Sequence, residues 1–123
     1  MVVEINLWLD GRLAAGEEVF VAEIADYEAR RELLRAGKGN SVRRLDALIP
    51  TLTYLPLSTQ MMRRAAELWA LARNQGLPTA PPEALDADVI LAAQAESVGA
   101  LVATENVGHL SRFVSARHWR NIP

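Results

Sequence analysis

Apolar positions recur along the chain with two different periods, which predicts alternating strands and helices. Short runs of β-branched and other apolar residues predict strands at residues 19–21, 51–57 and 100–103, and a last edge strand at 118–122. Longer stretches predict helices at residues 2–15, 23–36, 42–49 and 58–75, and a helical turn at 109–114. Ser41 and Ser58 are the expected helix caps, and Pro50 is expected to close the helix at 42–49. This alternation favours an α/β fold with a parallel sheet and right-handed crossovers.

The stretch 83–95 places two carboxylates, Asp86 and Asp88, directly before an almost wholly apolar run. A helix that is apolar on all sides is buried, so we predict a buried helix that starts at about residues 86–88 and ends near Gly99. Helix N-termini favour aspartate, so one of the two carboxylates is expected to cap the helix. A capping carboxylate can also bind a metal ion through its free oxygen, so the two roles are compatible.

Composition narrows the class of protein. The 123 residues, half of them hydrophobic and 23% charged, suit a single globular domain over residues 1–123. No apolar run is long enough to cross a membrane, and the start lacks a basic leader. The absence of cysteine excludes disulfides and thiolate metal sites, and it fits a cytoplasmic protein.

The basic residues are nearly all arginines, and the net charge of −2 gives no general attraction to nucleic acid. Arginine pairs recur at residues 30–31, 43–44 and 63–64. The planar guanidinium suits phosphate, which favours contacts to a nucleic-acid backbone. The alternative is that these arginines lie on solvated helix faces, paired with nearby acids.

Polar residues follow or precede the predicted strands in a way that favours an acidic pocket. Glu28 comes soon after strand 19–21, Asp88 heads the helix that leads into strand 100–103, and Asn106 follows that strand. Ligands of parallel α/β sheets bind beyond the carboxyl ends of the strands. Clustered carboxylates need a cation, and oxygen ligands select a hard ion such as Mg²⁺ or Mn²⁺. For Glu28 the alternative is an ion pair within its helix, with Arg31.

Three segments together resemble the PIN-domain family of small α/β ribonucleases, many of which are toxins of bacterial toxin–antitoxin pairs. The segments are V-F-V-A-E-I-A-D-Y-E-A-R-R-E-L at 19–33, D-A-D-V-I-L-A-A-Q-A at 86–95 and L-V-A-T-E-N-V-G-H-L at 101–110. The resemblance covers roughly residues 3–122. It implies a three-layer fold with helices on both sides of a parallel sheet. It also implies cleavage of RNA with Mg²⁺ or Mn²⁺, an antitoxin-like protein partner and a homodimer.

The resemblance assigns roles to individual residues. Glu28 corresponds to the family's helix glutamate and Asp88 to its third acid, and both would hold the metal ion as catalytic residues. Asp86 would assist as a further ligand or by supporting the other ligands without touching the ion. Thr104 and Asn106 match the family's T-x-N segment and would shape the site by hydrogen bonds. The arginines expected to hold RNA phosphates are Arg30, Arg31, Arg43 and Arg44.

Two positions depart from the family's pattern. The opening strand of the family, with its aspartate, is central to the sheet and is expected to be missing here. Residues 2–6, with Glu4 as the acid, are the only substitute, and they leave few residues before Val19 for a strand, a crossover and a helix. His109 stands where an acid is usual, and a neutral imidazole binds Mg²⁺ poorly.

These departures leave two hypotheses open. The chain is an Mg²⁺-dependent endoribonuclease if the native protein has the first strand. Alternatively, it is an inactive, N-terminally truncated PIN-like protein that acts as an interaction module. A carboxylate hydrolase unrelated to nucleic acid is a third and weaker possibility, because the sequence has no nucleophile elbow, phosphate-binding glycine loop or zinc motif.

Overall fold

The computed structural model describes residues 2–3, 18–75, 82–104 and 116–118 of the chain. Its strands are β1 (Val2–Val3), β2 (Phe20–Ala22), β3 (Thr53–Leu55), β4 (Val102–Thr104) and β5 (Ala116–His118). Its helices are α1 (Glu23–Arg35), α2 (Gly39–Leu48), α3 (Thr59–Asn74) and α4 (Pro82–Ser97). The strands form one parallel sheet in the order β3-β2-β1-β4-β5, which confirms the predicted α/β class. None of the helices described here is long and apolar enough to cross a membrane.

The central strand of the sheet is present, so the prediction that it is missing was wrong. Val2 lies opposite Phe20 on one side and Val102 on the other. Valine favours an extended backbone, and pairing on both sides satisfies the backbone groups of this short strand. The helix predicted over residues 2–15 is therefore wrong at residues 2 and 3, where the spacing of Val2 and Ile5 imitated a helical period. Its remaining residues lie outside the described part of the chain.

Helix α4 begins at Pro82, well before both aspartates, so the predicted capping role of Asp86 or Asp88 was wrong. Proline suits the first turn of a helix because its φ is already helical and its missing N–H needs no partner there. The helix ends at Ser97, and Gly99 follows with φ at 61°. This left-handed backbone is open to glycine without steric cost.

Two of the other helices begin where sequence features within or beside them predicted. Helix α1 occupies the predicted stretch, and the hydroxyl of Ser58 accepts a hydrogen bond from the Met61 backbone N at 3.1 Å, as expected of a cap. Helix α2 begins at Gly39, so the predicted cap at Ser41 was wrong. Pro50 lies in a 3₁₀ turn over Ile49–Thr51, which takes up the start of the predicted strand and shortens β3.

The last two strands are shifted from their predicted positions. Strand β4 begins two residues later than predicted, since Gly99 and Ala100 close the end of α4 by hydrogen bonds to Glu96 and Ala95. Strand β5 ends at His118, where the prediction had it begin. It does lie at the edge of the sheet, as predicted. The helical turn predicted at 109–114 lies outside the described residues.

The core consists of two clusters of small and medium apolar side chains that share α4. One cluster joins α4 to α1 and the sheet through Ala22, Ile24, Ala25, Ala87, Leu91, Ala95 and Val102. The other joins α4 to α3 through Ala65, Leu68, Ala72, Val89, Ala92 and Ala93. Ile90 packs against both. Helix α4 is therefore buried on two sides, as its uniformly apolar sequence predicted.

A polar network on the surface joins α1, α2 and β3. Arg30 contacts both Asp26, at 3.1 Å, and Asp46, at 2.8 Å, and the hydrogen bond to Asp46 is the main cause of a raised pKa for Arg30. The hydroxyl of Tyr54 donates to Asp26 Oδ2 at 3.2 Å. Tyr54 is still 37% exposed, and partial burial raises the pKa of its phenol to about 12, with the charge of Asp26 adding to this effect. The network therefore holds the start of α1 against the edge strand β3.

The contact between α3 and α4 predicts a sharp difference between two alanines of α3. Ala72 is 2% exposed, whereas Ala66 is exposed on the same helix. Ala72→Leu is expected to lower the free energy of unfolding by about 1–3 kcal/mol, because Ala72 is enclosed in the packed cluster between α3 and α4. Ala66→Leu is the matched control and is expected to change it by less than about 0.5 kcal/mol. Urea denaturation measures both, and equal effects would contradict the packing described here.

The environment of Tyr54 predicts that its phenol loses its proton at an unusually high pH. The sequence has two tyrosines, so Tyr54 alone titrates in Tyr27→Phe, with an expected absorbance midpoint near pH 12. Since this folded-state pKa lies above the ordinary value of 10.0, the protonated phenol stabilises the fold fully below pH 10.0 and progressively less towards pH 12. Adding Asp26→Asn should lower the midpoint but keep it above 10.0, because burial is the larger cause. A midpoint of 10.0 in the folded protein would show that Tyr54 is not held in this environment.

Candidate functional site

The carboxyl ends of the strands define the edge of the sheet where a site is expected. Strand β2 runs directly into α1, β3 ends at Leu55, and β4 ends at Thr104. All strands are parallel, so these ends lie along the same edge. Ligands in parallel α/β sheets bind beyond this edge. The start of α1 and the helix α4 that packs against it are therefore the elements that can carry a site.

Glu28 lies on the side of α1 that packs against α4. It comes one turn after Ile24 and Ala25, which are buried in the cluster that α1 shares with α4. Its own side chain is 35% exposed, and its Oε2 lies 3.9 Å from Nη2 of Arg31. This long ion pair is the intrahelical alternative considered for Glu28.

Asp88 and Asp86 lie on different sides of α4. Asp88 is half-buried and comes one turn before Leu91, which packs towards α1. Asp86 is exposed and lines a groove between α3 and α4 with Trp69 and Val89. Residues two apart on a helix do not face each other. The structure therefore brings Asp88 to the α1 side and Asp86 to the α3 side, and it does not bring the two carboxylates together.

The groove that contains Asp86 is mainly apolar. Its volume is about 440 Å³, and it is lined by Met62, Ala65, Ala66, Trp69, Asp86, Val89 and Ile90. Trp69 is 40% exposed, and the guanidinium of Arg73 lies 5.4 Å from the centre of its ring. This surface is separate from the side of α4 that carries Asp88.

The structure describes only some of the remaining predicted site residues. Thr104 is the last residue of β4 and lies opposite His118 of β5 in the sheet register. Its backbone is therefore at the expected edge. Asn106 and His109 lie outside the described residues.

The four arginines predicted to hold RNA differ in their surroundings. Arg30 is held between Asp26 and Asp46 in the surface network. Arg31 is half-exposed, with its guanidinium 5.2 Å from the centre of the Tyr27 ring. Arg43 and Arg44 are exposed on α2, and Arg43 donates a hydrogen bond to Asn40. Pairing with nearby acids, the alternative considered for these arginines, therefore applies to Arg30. The two arginines of α2 are accessible to solvent.

Sequence reasoning missed Gln94, which connects three elements near the expected edge. Its side chain is fully buried in α4, and its amide bonds to the backbone of Ile24 in α1 and of Leu55 in β3. The signal in the sequence was a single amide inside the apolar run of α4. Such a residue must find hydrogen-bond partners in the core, but the sequence does not say where those partners lie.

The donor chemistry of α1 and α4 fits a hard cation. Glu28 and Asp88, each more than one turn into its helix, offer carboxylate oxygens, and the sequence has no cysteine, so Mg²⁺ or Mn²⁺ suits these donors. Among the residues that the structure describes, no group of three acidic or histidine side chains is arranged to hold a metal ion. A complete set of ligands would therefore include residues outside the described ranges.

Comparison with known proteins gives matches among solved structures. No protein-family model and no curated protein matches the sequence. The structure of VapBC-1 from nontypeable Haemophilus influenzae matches with a TM-score of 0.73 and 18% identity, over 98% of this chain and 100% of that chain. FitAcB from Neisseria gonorrhoeae matches with a TM-score of 0.73 and 22% identity, over 99% and 100%. VapBC2 from Rickettsia felis, bound to a DNA fragment from its promoter, matches with a TM-score of 0.70 and 18% identity, over 85% and 77%.

These structures are PIN-domain toxins of the VapC type. At this level of identity, the likeness establishes the fold and leaves activity open. The sheet centred on β1 agrees with that fold, as do the helix that follows β2 and the buried helix that precedes β4. The chain therefore has the PIN-domain fold of VapC-type toxins, as its three sequence segments predicted.

Proposed function

We propose that this chain is a metal-dependent ribonuclease of the toxin type, which hydrolyses phosphodiester bonds of RNA. One observation carries the proposal. Within a PIN-domain fold, α1 and α4 pack against each other, and both begin at the carboxyl edge of the parallel sheet. Acidic side chains carried by these helices are suited to hold a cation, because a cation removes the repulsion between carboxylates.

In this proposal Glu28 and Asp88 are the metal ligands and the catalytic residues, and the ion is Mg²⁺ or Mn²⁺. The ion supplies positive charge that neutralises the phosphodiester and orients water for in-line attack. Thr104, at the end of β4, and Asn106, two residues later in the sequence, shape the site by hydrogen bonds. Asp86 has at most an indirect role, because it lies on the side of α4 that faces α3.

Glu4 is the proposed replacement for the aspartate of the family's first strand. It directly follows Val3, the last residue of the central strand β1. The carboxyl end of β1 itself lies between the ends of β2 and β4 in the sheet order. Glutamate has the same carboxylate as aspartate on a side chain one methylene longer. Glu4 itself lies outside the described residues.

RNA would reach this site across the arginines of α1 and α2. Arg31 is one turn beyond Glu28, and Arg43 and Arg44 are exposed on the neighbouring helix. Their guanidinium groups can bind backbone phosphates with two parallel hydrogen bonds. Arg30 would serve mainly to hold α1 against α2, since Asp26 and Asp46 already occupy its guanidinium.

An antitoxin-like protein is the proposed partner, and a homodimer is the proposed assembly. The matched structures include ones named VapBC and FitAB, and three of them were solved with DNA. The competing hypothesis of an inactive interaction module rested on a missing central strand. Because β1 occupies the centre of the sheet, a missing strand no longer supports that hypothesis. The family's first-strand aspartate is still absent from this stretch, where Glu4 is its proposed replacement.

The metal site is tested by two isosteric variants. Glu28→Gln and Asp88→Asn are each expected to weaken Mn²⁺ binding and metal-dependent RNA cleavage by more than about tenfold, since even residues that only support metal ligands cost 10–100-fold. Asp86→Asn is expected to have a smaller effect. Glu32→Gln, an exposed acid one turn beyond Glu28, is the matched control. Calorimetry measures binding, and unchanged cleavage in the first two variants would refute the site.

The role of Glu4 is tested separately. Glu4→Gln is expected to lower Mn²⁺ affinity and RNA cleavage at least as much as Glu28→Gln, while circular dichroism shows an unchanged fold. The physical reason is the loss of one negative oxygen donor to a hard cation. If Glu4→Gln retains full affinity and activity while Glu28→Gln loses both, the central strand supplies no ligand, and the remaining site stands.

A further inference from the structure

The groove between α3 and α4 exposes two large apolar side chains. Met62 is 45% exposed and Trp69 is 40% exposed, and both line the groove. They are seven residues apart, which is two turns or about 10 Å along α3, so they lie on the same side of the helix. Apolar side chains that gather at one exposed surface, rather than being scattered singly, are typical of a contact with another molecule.

The two ends of this groove carry opposite charges. Helices α3 and α4 run in opposite directions, because Arg64, near the start of α3, bonds to Glu96, near the end of α4, at 2.9 Å. Asp86 comes early in α4 and therefore lies at the Trp69 end of the groove. Arg63 is exposed on α3 directly after Met62, at the other end. A molecule that covers the groove would therefore meet an acid at one end and a base at the other.

These two charges differ from their neighbours in their pairing. Within the described ranges, Arg63 and Asp86 form no ion pair, whereas Arg64 bonds to both Glu67 and Glu96. Arg73 also lies at the Asp86 end, but its guanidinium stacks on the Trp69 ring at 5.4 Å from the ring centre. A charge that loses water when a surface is covered needs an opposite charge beside it. The occupant of this groove must therefore bring a base to Asp86 and an acid to Arg63.

A second copy of this chain meets both requirements. In a two-fold symmetric pair the same surface serves both copies, so each contact occurs twice. Ala66 lies between Met62 and Trp69, and its small exposed side chain lets another helix approach closely. With the two-fold axis at Ala66, the two grooves run in opposite directions. Met62 of each copy then lies against Trp69 of the other, and Arg63 of each copy reaches Asp86 of the other.

We propose that the groove between α3 and α4 is the surface through which two copies of this chain pair, with Arg63 of each copy bound to Asp86 of the other. The inference rests on the homodimer of the proposed function and names the surface that forms it. The apolar contacts between Met62 and Trp69 supply affinity, since they remove exposed apolar area from water. The two ion pairs fix the direction in which the copies meet, because any other direction brings like charges together.

Charge reversal tests the reciprocal contact. Arg63→Asp and Asp86→Arg each place like charges at both contacts of the pair, so each variant alone is expected to raise the dimer dissociation constant by more than about tenfold. An equal mixture of the two variants is expected to form heterodimers with nearly wild-type affinity, because an acid again faces a base at both contacts. Arg44→Asp, the same change at an exposed position of α2 outside the groove, is the matched control and should change nothing. Sedimentation equilibrium without metal or RNA measures the dissociation constants.

Truncation tests the apolar contact. Trp69→Ala is expected to raise the dissociation constant by more than about thirtyfold, since a central tryptophan is lost at two contacts. Leu71→Ala is the matched control and should leave it unchanged, because Leu71 is 50% exposed on the same helix but two positions away, on another side. Urea unfolding of Ala72→Leu and Ala66→Leu is compared at concentrations where the dimer is dissociated, since pairing would cover Ala66.

Circular dichroism establishes that each variant is folded. If a reversed-charge variant does not fold, Arg63→Gln and Asp86→Asn take its place. Each is expected to weaken the dimer and to make its dissociation constant less dependent on salt, because exposed ion pairs are screened by salt. Unchanged affinity and unchanged salt dependence in both would overturn the proposed contact.

The outcomes separate this inference from the rest of the proposed function. Weak single variants that recover on mixing support the proposal. A dimer whose affinity none of the groove variants changes leaves the homodimer standing and overturns this surface, and so do weak variants that fail to recover on mixing. A monomeric wild type overturns both, and loss of binding to an antitoxin-like protein in Trp69→Ala would then assign the groove to that partner. Because these measurements use neither metal nor RNA, a chain that cleaves no RNA can still confirm the dimer surface.

Discussion

The structure depends on the burial of α4 on two sides at once. Leu91 and Ala95 pack towards α1 and the sheet, while Val89 and Ala92 pack towards α3. A helix in this position cannot adjust to one neighbour without disturbing the other, because close-packed interiors transmit small displacements. The many alanines bury little apolar area per residue. Hydrogen bonds and ion pairs, which are directional, therefore contribute more to fixing how these helices are arranged. The amide of Gln94 and the network around Asp26 provide such contacts on either side of α1.

Elements with local signals were predictable from the sequence, and elements set by distant residues were not. Ser58 caps α3 through a residue three positions away, and α1 carries its acidic start and basic end within its own length. A strand of two residues has no period that a pattern can reveal. Val2–Val3 is a strand because β2 and β4 lie on either side of it, and β4 is separated from it by about a hundred residues. Apolar spacing that includes Val2 therefore suggested a helix at residues 2 and 3, where the structure has a strand.

The residues of the candidate site also differ in whether the sequence could predict them. Glu28 and Asp88 were predicted from motif resemblance, and their helices do pack against each other. The sequence could not separate Asp86 from Asp88, because the sides of α4 that they occupy depend on where α1 and α3 lie. It could not assign Gln94 either, since an amide in an apolar run shows only that partners are needed. Both partners, Ile24 and Leu55, are backbone groups whose availability follows from the ends of other elements.

The order of the strands has a consequence for synthesis of the protein. Strand β1 leaves the ribosome before β2 and can pair early with it, but its other neighbour, β4, follows about a hundred residues later. Contacts between distant parts of a chain form late because closing a long loop costs entropy. One side of β1 therefore stays unpaired while the residues between β1 and β4 are made, exposed to wrong partners. The finished sheet, and any activity that needs both of its halves, is delayed until β4 and β5 have been made.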